Sequence, residues 1–241
     1  MRRCVGLTGD LLATALLLLT VAAPSQHDPA PAPHKPASPA EQKRGSAEAP
    51  THAPQPELPP AVAFDHVRAG NTACAAARKA GDPPPVVKPR PAGAGRYVCA
   101  VIVCADADLD LPTLLGLRRS DVLLISTPGP FVQQETVALL ERCVAEERLS
   151  LVLVLSHTHC ATLQARPGIT PRQDALTQRL VAVQKSPYAA NLPLGKAMVL
   201  AQRQMLLLSS DLLEQRAGKD QLRVVPGEID TGSHTITWHG A

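Results

Sequence analysis

Two apolar runs, residues 98–103 and 151–155, most constrain what this chain can fold into. Val-Cys-Ala-Val-Ile-Val and Leu-Val-Leu-Val-Leu do not alternate polar with apolar residues, as a strand with one wet face would. Continuous runs of this kind predict strands buried on both faces, in a parallel sheet covered by helices on either side. Each run ends in residues that carry chemistry: Cys104 and Asp106 after the first, His157 and Cys160 after the second. Residues just past the carboxyl ends of neighbouring parallel strands converge on one crevice. Two thiolates and an imidazole meeting there make a zinc site with three protein ligands and a fourth position for water or a carboxylate.

The rest of the chain supplies the helices such a sheet requires. The pattern predicts a helix over 61–80, ended by Gly81 and the Pro83-Pro84-Pro85 run. A strand over 97–103 follows, then a short helical turn over 111–117 opened by Pro112. A second strand over 122–126 runs into the turn Pro128-Gly129-Pro130. Val137, Leu140 and Val144 repeat at three-to-four spacing in a helix over 133–148, and the third strand covers 149–155. A long helix is expected over 188–215, with Pro193 and Gly195 as places to interrupt it. Strands near 222–225 and 235–238 flank the turn Asp230-Thr231-Gly232. The alternation gives an α/β fold, a mainly parallel β-sheet core flanked by helices through right-handed crossovers. With aromatics at 2%, the core has to be built from Leu, Val, Ile and Ala, and base-stacking platforms are scarce. Basic residues are scattered and the net charge is only +3, which argues against nucleic acid as a partner.

The first sixty or so residues read differently. Arg2 and Arg3 precede an apolar stretch over 11–23, and Val21-Ala22-Ala23 offers small residues for cleavage, so residues 1–25 read as an export signal. The stretch is short of the roughly 20 residues that span a bilayer, so no stable membrane span is expected once the signal is cleaved. Asp10 before it and Pro24 after it leave an uncleaved hydrophobic anchor as the alternative. Residues 26–60 are rich in Pro, Ala and Ser with few large apolar side chains, and cannot offset the entropy of ordering. They read as a disordered linker in which His27, His34 and His52 are solvated, leaving a domain over 61–241. The expected location is exported, periplasmic or secreted. Of six cysteines, Cys4 is lost with the signal and Cys104 and Cys160 go to metal. Cys74, Cys99 and Cys143 remain, as buried small hydrophobes or as disulfide partners whose pairing the sequence leaves open.

The two metal strings, Cys104-Ala105-Asp106-Ala107-Asp108 and His157-Thr158-His159-Cys160, resemble the signature of the β-class carbonic anhydrases, Cys-x-Asp-x-Arg followed by His-x-x-Cys. The resemblance runs from about residue 61 to the C-terminus. It takes in Gly70-Asn71, the turn Ser126-Thr127-Pro128-Gly129-Pro130, residues 222–225, Asp230-Thr231-Gly232 and Trp238. It implies one zinc ion per chain on Cys104, His157 and Cys160, with Asp106 either oriented beside the metal or joining it as a fourth ligand. It further implies reversible hydration of carbon dioxide to bicarbonate, with Asp106 the catalytic residue, and a homodimer or higher homo-oligomer.

The chain also departs from that family. Asp108 stands where the signature has arginine, and Ala161 and Thr162 follow the second cysteine where the family has Gly and Ala. Ser126, Pro128 and Pro130 replace Arg, Ala and Asn in the mid-domain turn. Without the arginine, Asp106 is expected to be freer to coordinate zinc, and a carboxylate at Asp108 to raise its pKa. Arg118 and Arg119 are candidate substitute clamps, and Asp108 can equally be a solvent-facing loop acid. His159 reads as a proton shuttle or as a plain polar residue at a helix start. Two functions stay open: a carbonic anhydrase, and a catalytically impaired zinc-binding member of the same fold with a binding or structural role.

Overall fold

The computed structural model describes residues 57–87, 89–164, 175–187 and 191–240. In chain order these form α1 (Pro60–Ala80), β1 (Cys99–Cys104), α2 (Leu111–Leu114), β2 (Val122–Thr127), α3 (Gln134–Glu146) and β3 (Leu151–His157). Then come α4 (Ala175–Gln184), α5 (Leu194–Leu208), α6 (Asp211–Gly218), β4 (Arg223–Ile229) and β5 (Ile236–Trp238). The expected leader, the three linker histidines and nearly all of the expected linker lie outside the described residues. Leu58, at the end of that linker, is 3% exposed and its amide donates to the Gly93 carbonyl, so packing begins a little before residue 61. No helix among the described residues is long and apolar enough to cross a membrane.

The strands form one five-stranded sheet in the order β2-β1-β3-β4-β5, parallel throughout except for β5, which runs antiparallel to β4. β1 and β3 lie side by side in its interior and are buried at every position. Alternate residues feed opposite faces. Val101, Val103, Leu151, Leu153 and Leu155 pack with Phe64 and Val67 of α1 and Leu114 of α2. Ala100, Ile102, Val152 and Val154 pack instead with Leu140 of α3, Val199 and Leu206 of α5 and Leu213 of α6. Both faces are dry, which is why both runs are apolar without interruption.

The expected long helix over 188–215 is two helices, α5 and α6, divided at Ser209 and Ser210; residues 188–190 lie outside the described residues. Ser210 is the N-cap of α6: its hydroxyl accepts from the Leu213 amide at 3.2 Å and donates to Glu141 Oε1 at 2.6 Å. Pro193, expected as an interruption, is the N-cap of α5. Helix α4 went unanticipated, although Leu176, Leu180 and Val183 have helical spacing. β4 continues through Pro226 and Gly227 to Ile229, beyond the expected end at 225. Pro226 is in register with Val154 of β3, and its carbonyl accepts from the His239 amide (2.9 Å), just past the end of β5.

The Gly70-Asn71 pair fastens α1 to the rest. Asn71 is 3% exposed; its Nδ2 donates to the carbonyls of His234 (2.8 Å) and Leu114 (3.3 Å), and its Oδ1 accepts from the Ile236 amide (3.0 Å). One side chain thus satisfies backbone groups of α2, the last turn and β5. Asn71→Ala strands those groups in a dry interior, at about 1–3 kcal/mol for each one left unpaired. The expected loss is about 3 kcal/mol in urea unfolding, and a loss under about 1 kcal/mol would show that water replaces the amide.

Candidate metal centre

Parallel pairing of β1 with β3, with Val103 opposite Leu155, sets the carboxyl ends of the two strands together. Cys104 is the last residue of β1 and His157 the last of β3. Asp106 lies on the turn that follows, which the Ala105 amide ties to Thr127 O (2.7 Å) and the Ala107 amide to Cys104 O (3.1 Å). Beyond His157 the chain reverses through Thr158 and His159, the latter in the left-handed region at φ 58°. The Thr158 amide donates to Ile229 O, and the Thr158 and Thr231 hydroxyls are 3.0 Å apart. This reversal brings Cys160 back over the strand ends, ahead of a 3-10 turn at Ala161–Leu163.

The donor atoms of Cys104, Asp106, His157 and Cys160 all lie within 4.8 Å of one another. The two Sγ atoms are 3.6 Å apart. Asp106 Oδ1 is 2.5 Å from Cys104 Sγ, 2.8 Å from His157 Nε2 and 3.5 Å from Cys160 Sγ. His157 Nδ1 is 3.0 Å from the Thr158 carbonyl, which can only accept. Nδ1 therefore carries the proton and Nε2 is the nitrogen turned to the cluster. The Gly129 amide donates to Cys104 Sγ at 3.1 Å. Asp106 Oδ2 accepts from the Thr162 amide at 3.0 Å and the Thr162 hydroxyl at 3.2 Å. Beneath the sulfurs lies an apolar wall that includes Phe131, Leu163, Leu180 and Met198.

These groups perturb one another strongly. The hydrogen bond from the Cys160 thiol, aided by His157, pulls Cys104 down to about 5 against the effect of burial. The same bond, together with burial, pushes Cys160 far up. Its hydrogen bond to Cys104 holds His157 up to about 9 against burial, with Asp106 and the Thr158 carbonyl adding to it. Burial works to raise Asp106, but bonds from Cys104, the Thr162 amide and His157 outweigh it and keep the carboxyl well below the ordinary carboxylate range. Asp108 is exposed, as the solvent-facing alternative expects. Neither candidate arginine reaches Asp106. Arg118 pairs with the buried Asp121 at 2.9 Å, and Arg119 Nη1 donates to Val122 O. His159 is exposed and its ring is outside the donor cluster.

The donor set fits a zinc ion. Tetrahedral coordination with Zn–S near 2.3 Å puts two sulfurs about 3.8 Å apart, close to the 3.6 Å observed. A thiolate and a carboxylate only accept, so their 2.5 Å contact has to hold a proton or a cation between them. Cys104, Cys160, His157 and Asp106 would hold such an ion, which would bind in competition with protons on the thiols and the imidazole. The spacing of the two strings foretold this grouping. Nothing in it marked the roles of Gly129 and Thr162, which are hydrogen bonds across loops distant in sequence; the one signal was that Thr162 sits beside Cys160 as a departure from the family pattern.

No protein-family model matches the sequence, and no curated protein matches it. Solved structures similar to it include β-carbonic anhydrases and a carbon disulfide hydrolase. The enzyme CafD of Aspergillus fumigatus is 16% identical, over 62% of this chain and 91% of that one, with a TM-score of 0.49. One of two tetrameric β-carbonic anhydrases from Sordaria macrospora is 18% identical, over 62% and 84%, at 0.48. The Coccomyxa β-carbonic anhydrase in complex with acetazolamide is 19% identical, over 61% and 73%, also at 0.48. Likenesses this distant carry no chemistry across, so the donor set has to speak for itself.

Proposed function

We propose that this chain holds one zinc ion on Cys104, His157 and Cys160, with Asp106 able to join as a fourth ligand and to withdraw and leave that position to water, and that it catalyses the reversible hydration of carbon dioxide to bicarbonate. The observation that carries the reading is the convergence of four donor atoms within 4.8 Å at the ends of two adjacent parallel strands. Zinc bound there supplies Lewis acidity, which makes water a nucleophile near neutral pH.

The chain's own residues do the rest. Cys104 and Cys160 balance the charge of the ion, and the Gly129 amide steadies Cys104 as a thiolate. The Thr158 carbonyl fixes the tautomer of His157 and so aims Nε2. Asp106 Oδ1 is within reach of a proton at the fourth position and can accept it. The wall of Phe131, Leu163 and Met198 suits a small apolar substrate and excludes water from the sulfur side.

One observation favours the second reading, a zinc-holding relative with impaired turnover. Asp106 Oδ1 already sits among the other donors, which is where a closing fourth ligand belongs. Stopped-flow carbon dioxide hydration by the zinc-loaded full chain, beside the metal-stripped protein, decides between them. Zinc-dependent turnover is the expected result. Folded protein that retains zinc and shows no rate above buffer would sink the enzyme and leave the closed site.

Assembly as a homodimer or larger homo-oligomer, and export to a periplasm or the outside, belong to the same proposal. Sedimentation of the purified protein tests the first, and N-terminal sequencing of the mature chain tests the second.

A further inference from the structure

We infer that Thr162 is the positioning residue for Asp106: it holds the outer carboxylate oxygen, so that the inner oxygen faces the sulfur and imidazole donors. The inference rests on the zinc reading above.

Asp106 is on a turn and its side chain is 30% exposed, so packing alone does not fix its rotamer. Two carboxylate oxygens then compete for the place nearest the donors. The hydrogen bonds divide them unequally. Oδ1 lies 2.5 Å from Cys104 Sγ and 2.8 Å from His157 Nε2. Oδ2 takes both donors of Thr162, the amide at 3.0 Å and the hydroxyl at 3.2 Å, and otherwise only a long contact of 3.7 Å with Cys160 Sγ. Among the described residues no arginine or lysine pairs with Asp106; Arg90 and Arg118 are both directed at Asp121.

The clamp is therefore neutral. A guanidinium in its place would share the negative charge of the carboxylate and draw it outward, whereas an amide and a hydroxyl fix its direction and leave its charge for a cation. The clamp is also tied to the ligand. Thr162 lies within the 3-10 turn at Ala161–Leu163, which the Leu163 amide closes onto the Cys160 carbonyl at 3.2 Å. Cys160 and the group that orients Asp106 thus ride on one short element, and a shift of the turn moves both.

The test uses zinc affinity of the full chain, read by competition with a chromophoric chelator. Thr162→Val keeps the side-chain shape and the amide but removes the hydroxyl. Loss of a partner that orients a ligand weakens metal binding by about tenfold or more, and Thr162→Ser, which restores the hydroxyl, should stay within about twofold of the native protein. Asp106→Ala supplies the control: in that background Thr162→Val should cost nothing further, because the carboxylate it positions has gone. Cobalt(II) in place of zinc gives a spectroscopic readout, with Thr162→Val altering the visible bands and Thr162→Ser leaving them in place. Native affinity in Thr162→Val, or an equal loss with and without Asp106, would overturn the inference. If the native protein binds zinc no better than a Cys104→Ser variant, the zinc reading itself fails, and the inference with it.

Discussion

Replacing Cys104 by serine is expected to leave the dialysed protein with less than about a tenth of a zinc equivalent per chain, where the native protein keeps about one. Cys104 is the hub of the cluster: its sulfur touches Cys160 at 3.6 Å, Asp106 at 2.5 Å and the Gly129 amide at 3.1 Å. A serine hydroxyl in that place does not ionise near neutral pH, so the ion loses a charged ligand and the Gly129 amide loses its anionic acceptor. A ligand that binds only the folded state at a thousandfold its dissociation constant stabilises by about 4 kcal/mol. Added zinc should therefore raise the native midpoint of thermal unfolding and leave that of Cys104→Ser unmoved. Elemental analysis of both proteins after dialysis is the measurement, and native zinc content in the serine variant would show that Cys104 is not a ligand.

The second large effect is on the fold. At Gly70, α1 passes so close to the segment after α2 that a Cβ would lie 2.1 Å from the Leu115 carbonyl oxygen and 3.0 Å from Gly116 Cα. The neighbour is backbone on both counts, so no rotamer change relieves the clash. Gly116 cannot yield easily, since it has φ 68° and its own Cβ would meet Gly70 Cα at 2.7 Å. Gly70→Ala must push α1 away, and with it Asn71 and its bonds to Leu114, His234 and Ile236. We expect a loss of about 3 kcal/mol or more, against the gain of some tenths that glycine-to-alanine brings in an unhindered helix. For a chain of this size that lowers the thermal midpoint by roughly 6–12 °C. A midpoint within about 2 °C of native would mean that the two backbones are not in contact.

Much of this arrangement is legible from the chain. Burial on both faces demands uninterrupted apolar residues, so β1 and β3 announce themselves. The cluster of Cys104, Asp106, His157 and Cys160 then follows from where parallel strands end. The break between α5 and α6 is harder to read, because apolar residues recur at helical spacing on both sides of it. What stops the helix is Ser210, and its hydroxyl is held by Glu141 of α3, a residue distant in sequence. The surroundings of Asp106 are hidden for a related reason. The sequence leaves Asp108 open as a neighbour or as a solvent-facing acid, and it does not mark Thr162, which arrives from the far side of β3 and holds the Asp106 side chain.

By itself, then, the sequence determined the mainly parallel sheet and which four side chains gather at the ends of its strands, because continuous apolar runs and the residues directly after them are local facts. Tertiary structure alone decided how those donors are tuned: Gly129 on Cys104, Thr158 on His157, Thr162 on Asp106. Hydrogen bonds of about 3 Å are made between whichever groups the packing brings together, and neither the pattern nor the spacing of a chain records their direction.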